Sequence, residues 1–341
     1  MLGFLEGRTY SNIPILRLFT TWRSSKWGII GVDMADDNLK LAQLSNNGKG
    51  ISLIAAGIEN RPANIKSGSG NWQRWAIKSI RQLTANGNFK GKSVVAAIPS
   101  SEVFIDHIKM PKITNQSPQA KKTTADEPDK LQQAIFSKIK QKLPFEPDQA
   151  MIKYIPTEQD NVLVIAAGRE KIDRHLAIYE NANLHIQSIA VWPVALANTY
   201  TTFFGRRKTD IESIVMLLDI EPNRTNVVIC RHKNPLFAHS ITIGANQLQK
   251  DETIARLVSE LNACRQQFNS MYKRVKIERL IFLSGKVLDI EICAKIAKKL
   301  QMPTQIGDCL TAVEIGDHNN CQVDRRQCRS SWATAFGLSL S

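Results

Sequence analysis

No stretch of about 18 consecutive apolar residues occurs in the chain, so no segment has the length of a membrane-spanning helix. The N-terminus lacks an apolar core followed by small residues at a cleavage point, so no secretory leader is expected. Cysteine is scarce, with six among 341 residues and no close C-x₂₋₄-C pair. That usage fits a reducing compartment, and a cytoplasmic protein is the expectation. Cys309, His318, Cys321 and Cys328 lack the spacing of a zinc site and read as buried or inert thiols beside an unrelated imidazole. The histidines form no i, i+4 pair. Acidic residues are outnumbered, 31 Asp and Glu against 45 Lys and Arg, which leaves a net charge of +14. This excess suits an anionic partner such as lipid headgroups, nucleic acid or an acidic protein. It equally suits Lys-rich solvated faces. Arg206-Arg207-Lys208 and Arg325-Arg326 carry no interleaved aromatics and no nucleic-acid motif, so solvated faces account for them and no nucleic acid is expected.

What is present is enough for a full core. Hydrophobic residues make up 43% of the chain, and its length suits two domains. The organising stretch is Trp27 to Leu44, WGIIGVDMADDNLKLAQL. An apolar run ends at Asp33, a polar turn follows, and Leu39, Leu41 and Leu44 alternate with Lys40 and Gln43 as in a half-buried strand. A hairpin with Asp33 at its lip and Lys40 on the return strand has two uses. It holds a metal–phosphate at the turn, or it only begins a sheet.

Residues 1–26 precede this hairpin as a basic, mildly amphipathic arm, with Leu16, Phe19 and Arg23 at helical spacings. Such a segment can lie on an anionic membrane surface or pack on the first sheet. Beyond the hairpin, strands are expected over Ile51–Glu59, Ser93–Ile98, Val103–Ile108, Met151–Ile155, Val162–Ala166 and His185–Val191. Helices are expected over Trp72–Asn86, Leu131–Leu143, Arg169–Asn181 and Pro193–Tyr200, with a polar, Lys-rich segment over 112–130. Gly205 to Lys208 is the best linker. Then the opening repeats. Ser213 to Asp219 is an apolar strand ending in Asp, Glu221-Pro222-Asn223-Arg224 is a polar turn, and Thr225–Cys230 and Pro235–Ile243 return as strands. Helices over Ile254–Tyr272 and Val287–Leu300 flank a strand at Leu280–Leu283, and Trp332–Leu338 closes the chain as an apolar helix. Two halves with one plan imply two similar α/β domains facing each other across a cleft.

This plan resembles the actin-like ATPase fold of actin, sugar kinases and FtsA. Within it the chain is most similar to PilM proteins of type IV pilus assembly, over about residues 27–341. GVDMADDNLKLAQL (31–44) stands where those proteins have G-[LI]-D-I-G-S-S-S-[VI]-K-x-x-x-L. KLPFEPDQ (142–149), the block 162–200, LLDIEPNRTNVVI (217–229), IGANQL (243–248) and Ile281 to Gly285 follow in the family's order. The resemblance implies an α/β, actin-like duplicated fold of two RNase H-like domains. Domain 1 would span 27–205, with an inserted subdomain at about 93–166. A shortened domain 2 would span 206–331, and a C-terminal helix over 332–341 would pack on domain 1.

If a nucleotide is retained, the resemblance makes Asp33, Lys40, Asp219, Thr225 and Gly285 its phosphate, Mg²⁺-water and adenosine positions. The alternative makes the first four the lips of two hairpins, kept for turn geometry. The departures favour the second. The loop glycine is Ala35, and hydroxyl positions are Asp36 and Asp37, whose charge would repel a triphosphate. In the second loop the glycine is Glu221, followed by Pro222, which has no N–H to donate. One adenosine-motif glycine is Lys286, and Leu248 runs almost directly into the long helix, where the family has an excursion that walls the cleft. No cofactor is expected, with MgATP the alternative. The implied function is that of a cytoplasmic scaffold, peripheral to the inner membrane. It would bind the cytoplasmic tail of a PilN-like bitopic protein in a groove of the first domain and meet other pilus or secretion platform components. The alternatives are an active actin-like ATPase or phosphotransferase, and the cytoplasmic part of a GspL-type type II secretion protein.

Overall fold

The computed structural model describes residues 27–46, 48, 50–110, 127–315, 328 and 330–341. The arm at 1–26, most of the polar segment at 112–130, and His318, Cys321 and Arg325-Arg326 therefore lie outside the described residues.

Strands β1 (Ile30–Met34), β2 (Asn38–Asn46) and β3 (Ile51–Asn60) form an antiparallel meander. Helix α1 (Gly70–Asn86) crosses back to β4 (Ser93–Ala97), which runs parallel to β1. The chain then leaves this sheet. β5 (Phe104–Lys109), α2 (Glu127–Ile139), β6 (Ala150–Pro156) and β7 (Asn161–Gly168) build a separate three-stranded sheet, ordered β5-β7-β6. Ile135 and Ile139 of α2 are buried in one cluster with Ile108, Val162 and Val164. Helix α3 (Arg169–Asn181) returns to the first sheet at β8 (His185–Ala190), parallel to β4. Ser93–Ala97 thus belongs to the first sheet, and the inserted unit begins after it. The boundary expected at about residue 93 moves for a plain reason: Val94 and Ala96 pack on α1 while Val95 and Ala97 are buried on the opposite face, as in a strand covered on both sides.

After α4 (Trp192–Thr199) and α5 (Lys208–Glu212), the plan recurs. β9 (Ile214–Ile220), β10 (Thr225–Arg231) and β11 (Asn234–Ile241) form the second meander. α6 (Asp251–Met271) leads to β12 (Arg279–Phe282), parallel to β9, and α7 (Ile290–Leu300) leads to β13 (Thr304–Ile306), parallel to β12. The five-stranded order β11-β10-β9-β12-β13 matches β3-β2-β1-β4-β8 strand for strand. The duplication read from the sequence is therefore present in the backbone. After α8 (Cys309–Ala312), β14 (Glu314–Ile315) pairs in parallel with β3, so the chain rejoins the first sheet well before residue 331.

The last helix, α9 (Ala333–Ser339), lies against β1 and α4. A Cβ at Gly31 would strike the carbonyl of Ala335, and one at Gly337 would strike the carbonyl of Ala195. These two glycines let three backbones come within contact distance. Ser339 fixes the register: its Oγ donates to the carbonyl of Ile29 at 2.7 Å and accepts from the Leu44 N–H at 2.9 Å. Trp332 and Phe336 extend the core there, together with Leu44, Trp192 and Tyr200. No helix among the described residues is long and apolar enough to cross a membrane.

Candidate functional site: the two facing turns

Both meanders carry a buried aspartate one residue before the end of their first strand. Antiparallel pairing sets Asp33 opposite Lys40, and Asp219 opposite Asn226. Cross-strand neighbours are within side-chain reach, and Lys40 Nζ lies 3.2 Å from Asp33 Oδ2, with both side chains buried. Burial opposes the charge on Lys40, but Asp33, Glu221 and Asp219 outweigh it and hold the ammonium well above its ordinary range. Burial raises the Glu221 carboxyl well above its usual range, and Asp219 and Asp33 push it the same way. Asp219 is also raised by burial, with the Ser331 hydroxyl and Lys40 resisting. One ammonium thus serves three carboxylates.

Asp219 has its own partners in and just before the last helix. Ser331 Oγ donates to Oδ1, and Thr334 Oγ1 donates to Oδ2 at 3.3 Å. Both carboxylate oxygens are therefore engaged by hydroxyls, which a sequence pattern confined to the two loops does not show.

The turns touch each other. Arg224 Nε donates to Asp36 Oδ2 at 3.2 Å, and Ser101 Oγ donates to Asp36 Oδ1 at 2.6 Å. The Asp36 carbonyl accepts from Arg61 Nε at 2.5 Å, and the Asp37 carbonyl accepts from the Arg61 N–H at 2.8 Å. On the other side, the Glu221 N–H donates to the Arg224 carbonyl at 2.8 Å, and the Ala245 N–H donates to the Glu221 carbonyl at 2.9 Å. Asp33, Ala35, Asp36, Ser100, Glu221 and Thr334 are among the walls of the space left between the turns, which measures about 10 Å³. That is room for about one water.

Of the residues expected at a phosphate site, the structure brings Asp33, Lys40 and Asp219 together. Thr225 is not with them. Its side chain is fully buried, and its Oγ1 donates to the Ile243 carbonyl at 2.7 Å. Strand alternation explains this placement: Asn226, one residue on, faces the cavity, with Oδ1 accepting from Ser240 Oγ at 2.9 Å. Gly285 does not line this space either. It has φ +58°, and a Cβ there would press on the Asp308 carboxylate. Sequence reasoning missed Arg224, Ser331 and Thr334. The one signal for Arg224 was a cation in the second turn, opposite two extra carboxylates in the first.

The family model described as type IV pilus assembly protein PilM matches residues 31–257. No curated protein sequence matches the chain. Among solved structures, a PilM-PilN type IV pilus biogenesis complex is similar at TM-score 0.73 and 17% identity, covering 92% of this chain and 98% of that one. The ethanolamine utilization protein EutJ from Carboxydothermus hydrogenoformans has TM-score 0.49 and 11% identity, covering 92% and 89%. The cytoplasmic domain of EpsL, an inner membrane component of the Vibrio cholerae type II secretion system, has TM-score 0.46 and 10% identity, covering 85% and 86%. With the duplicated strand order, the first of these places the chain in the actin-like fold class.

Proposed function

The chain belongs to the type IV pilus assembly protein PilM family, and from that premise we propose that it is a nucleotide-independent scaffold of the pilus assembly platform. It works on the cytoplasmic face of the inner membrane. The single observation that carries nucleotide independence is the direct link from Asp36 to Arg224 across a space of about 10 Å³. Binding sites for small ligands run to roughly 300–1,000 Å³. The two turns satisfy one another where a phosphate would otherwise sit.

Its partner is the cytoplasmic tail of a PilN-like membrane protein, and the similar solved structure is described as a PilM-PilN complex. The inserted sheet supplies a surface of the right kind. β6 is an edge strand, with Met151, Ile152, Tyr154 and Ile155 all half-buried. An edge strand offers backbone hydrogen bonds, and its alternate side chains offer pockets. The net charge of +14 favours approach to an anionic membrane face.

Two measurements test this reading. Calorimetric titration of the purified chain with MgATP is expected to show no saturable heat, and micromolar binding would overturn nucleotide independence. A pull-down with the cytoplasmic tail of a PilN-like protein is expected to retain the chain at low and moderate salt. Failure at both salts would overturn the partner.

A further inference from the structure

Four large apolar side chains stand exposed on the described surface, and two of them, Ile290 (74% exposed) and Ile306 (41%), line one groove. It runs between α7 and β13 and has a volume of about 620 Å³. α7 has already spent one face on the core, through Cys293, Ile296 and Leu300. Ile290, Ala294 and Ala297 follow i, i+4, i+7 spacing and form a second apolar stripe on the groove side. The two alanines make that stripe a trough rather than a ridge. Lys298 is the charged residue in the wall, and no carboxylate belongs to the lining. Lys299 follows it in the last turn of the helix.

The other wall is a strand edge. β13 is hydrogen-bonded to β12 on one side and, among the described residues, to no strand on the other. Thr304 and Ile306 point toward the groove, so an added strand would lay alternate side chains over the alanine trough. A free edge beside an apolar trough is the arrangement that captures extended peptides.

We propose that this groove takes an extended acidic–apolar segment of a partner protein, added as a strand to β13. Its apolar side chains lie on Ala294 and Ala297, and a carboxylate meets Lys298. A second copy of this chain fits less well. A two-fold contact at this edge would set Lys298 and Lys299 against their own counterparts, and like charges placed opposite each other repel. The site shares no residue with the cavity between the turns or with the inserted sheet, so it stands or falls apart from the scaffold reading.

The test is fluorescence anisotropy of the full chain with a labelled peptide of roughly ten residues alternating Val and Glu, at about 0.15 M salt. Saturable binding is expected, on the order of 100 μM. Ala294→Glu and Lys298→Glu change exposed positions and are each expected to weaken it tenfold or more with an unchanged circular dichroism spectrum. A peptide with Pro at alternate Val positions, which lacks an N–H donor at each of them, is expected not to bind, and neither is one with Lys in place of Glu. Equal binding of either control peptide would overturn the proposal. So would indifference to Ala294→Glu, or no saturation at millimolar peptide. A concentration-dependent dimer that Ala294→Glu dissociates would assign the groove to a second copy instead.

Discussion

Arg224 and Asp36 lie 188 residues apart in sequence and meet at 3.2 Å, each on the turn of its own meander. The contact reverses the meaning of Asp36. Considered within its own loop, the carboxylate is a charge that repels phosphate. Set opposite Arg224 and Ser101, it is the acceptor that joins the two halves of the fold. The cation a triphosphate would attract and the anion that would repel it are spent on each other.

Breaking this contact is expected to cost little stability and to change what the cleft can hold. The two side chains are 23% and 28% exposed, and a pair of that kind is worth about 1 kcal/mol or less. Arg224→Ala should therefore lower the urea midpoint only slightly. Asp36→Ser combined with Glu221→Gly removes two carboxylates and restores two of the small residues of the family pattern. Calorimetry of that double variant should show weak MgATP binding where the parent is expected to show none. A silent titration would mean that the shortened wall beyond Leu248, rather than the turns, excludes the nucleotide.

Lys40 is the counter-charge of the whole cluster. Its side chain is 2% exposed, and Asp33, Glu221 and Asp219 all act on it. Lys40→Met leaves buried carboxylates without a cation, a change that costs about 3–5 kcal/mol in comparable sites. The loss should shrink as pH falls from 8 to 5, because protonation neutralises the stranded acids. Urea unfolding of parent and variant at both pH values measures it. An equal loss at both would show that Lys40 contributes packing rather than charge.

How much of this was legible in the sequence differs between levels. The duplicated strand plan could be read because each half repeats a local pattern: an apolar run, an Asp, a polar turn and an alternating return. Arg169–Asn181 is helical over the residues expected, since Gly168 and Asn183 bracket one amphipathic run. Pairings across the cleft could not be read. Asp36 with Arg224, and Asp219 with Ser331, are set by how two sheets and a last helix come together, which no window of neighbours contains. The face that Thr225 takes could not be read for a smaller reason. A hydroxyl at the start of a strand is assigned to one face or the other by a single residue of register, and here Asn226 holds the inward position.

Thr334 of α9 and Ser331, just before that helix, hold Asp219, so the end of the chain helps to build the cleft. Ser331→Ala leaves one buried carboxylate oxygen without its donor, at a cost of about 1–3 kcal/mol. In the Asp219→Asn background the same change should cost much less, because the charge that needed the hydroxyl is gone. A double-mutant cycle by chemical denaturation isolates the coupling. Additive losses would mean that Ser331 acts only as a start for α9.

His107 ties the inserted sheet to the second half, and its proton sets the terms of that contact. It stacks on Phe237 with ring centroids 4.4 Å apart, and its Nε2 accepts from the Ala238 N–H at 3.1 Å. Only the neutral ring can accept at Nε2. Burial pulls its pKa from 6.5 down to about 4, with Asp106 opposing and His239 adding to the fall. Between those values the unfolded chain takes up a proton that the folded chain refuses. Stability from this site is therefore complete above about pH 6.5 and is lost as pH falls toward 4, with a ceiling of about 3 kcal/mol. His107→Phe keeps an aromatic ring on Phe237 but offers Ala238 no acceptor. The variant should be about 1–3 kcal/mol less stable at pH 7.5 and should lose less on acidification, so the two proteins converge near pH 4.5. Urea midpoints at three pH values decide the matter, because carboxylates elsewhere titrate alike in both. Parallel pH profiles would show that the ring is held by packing alone and that its proton plays no part in joining the sheet to the second half.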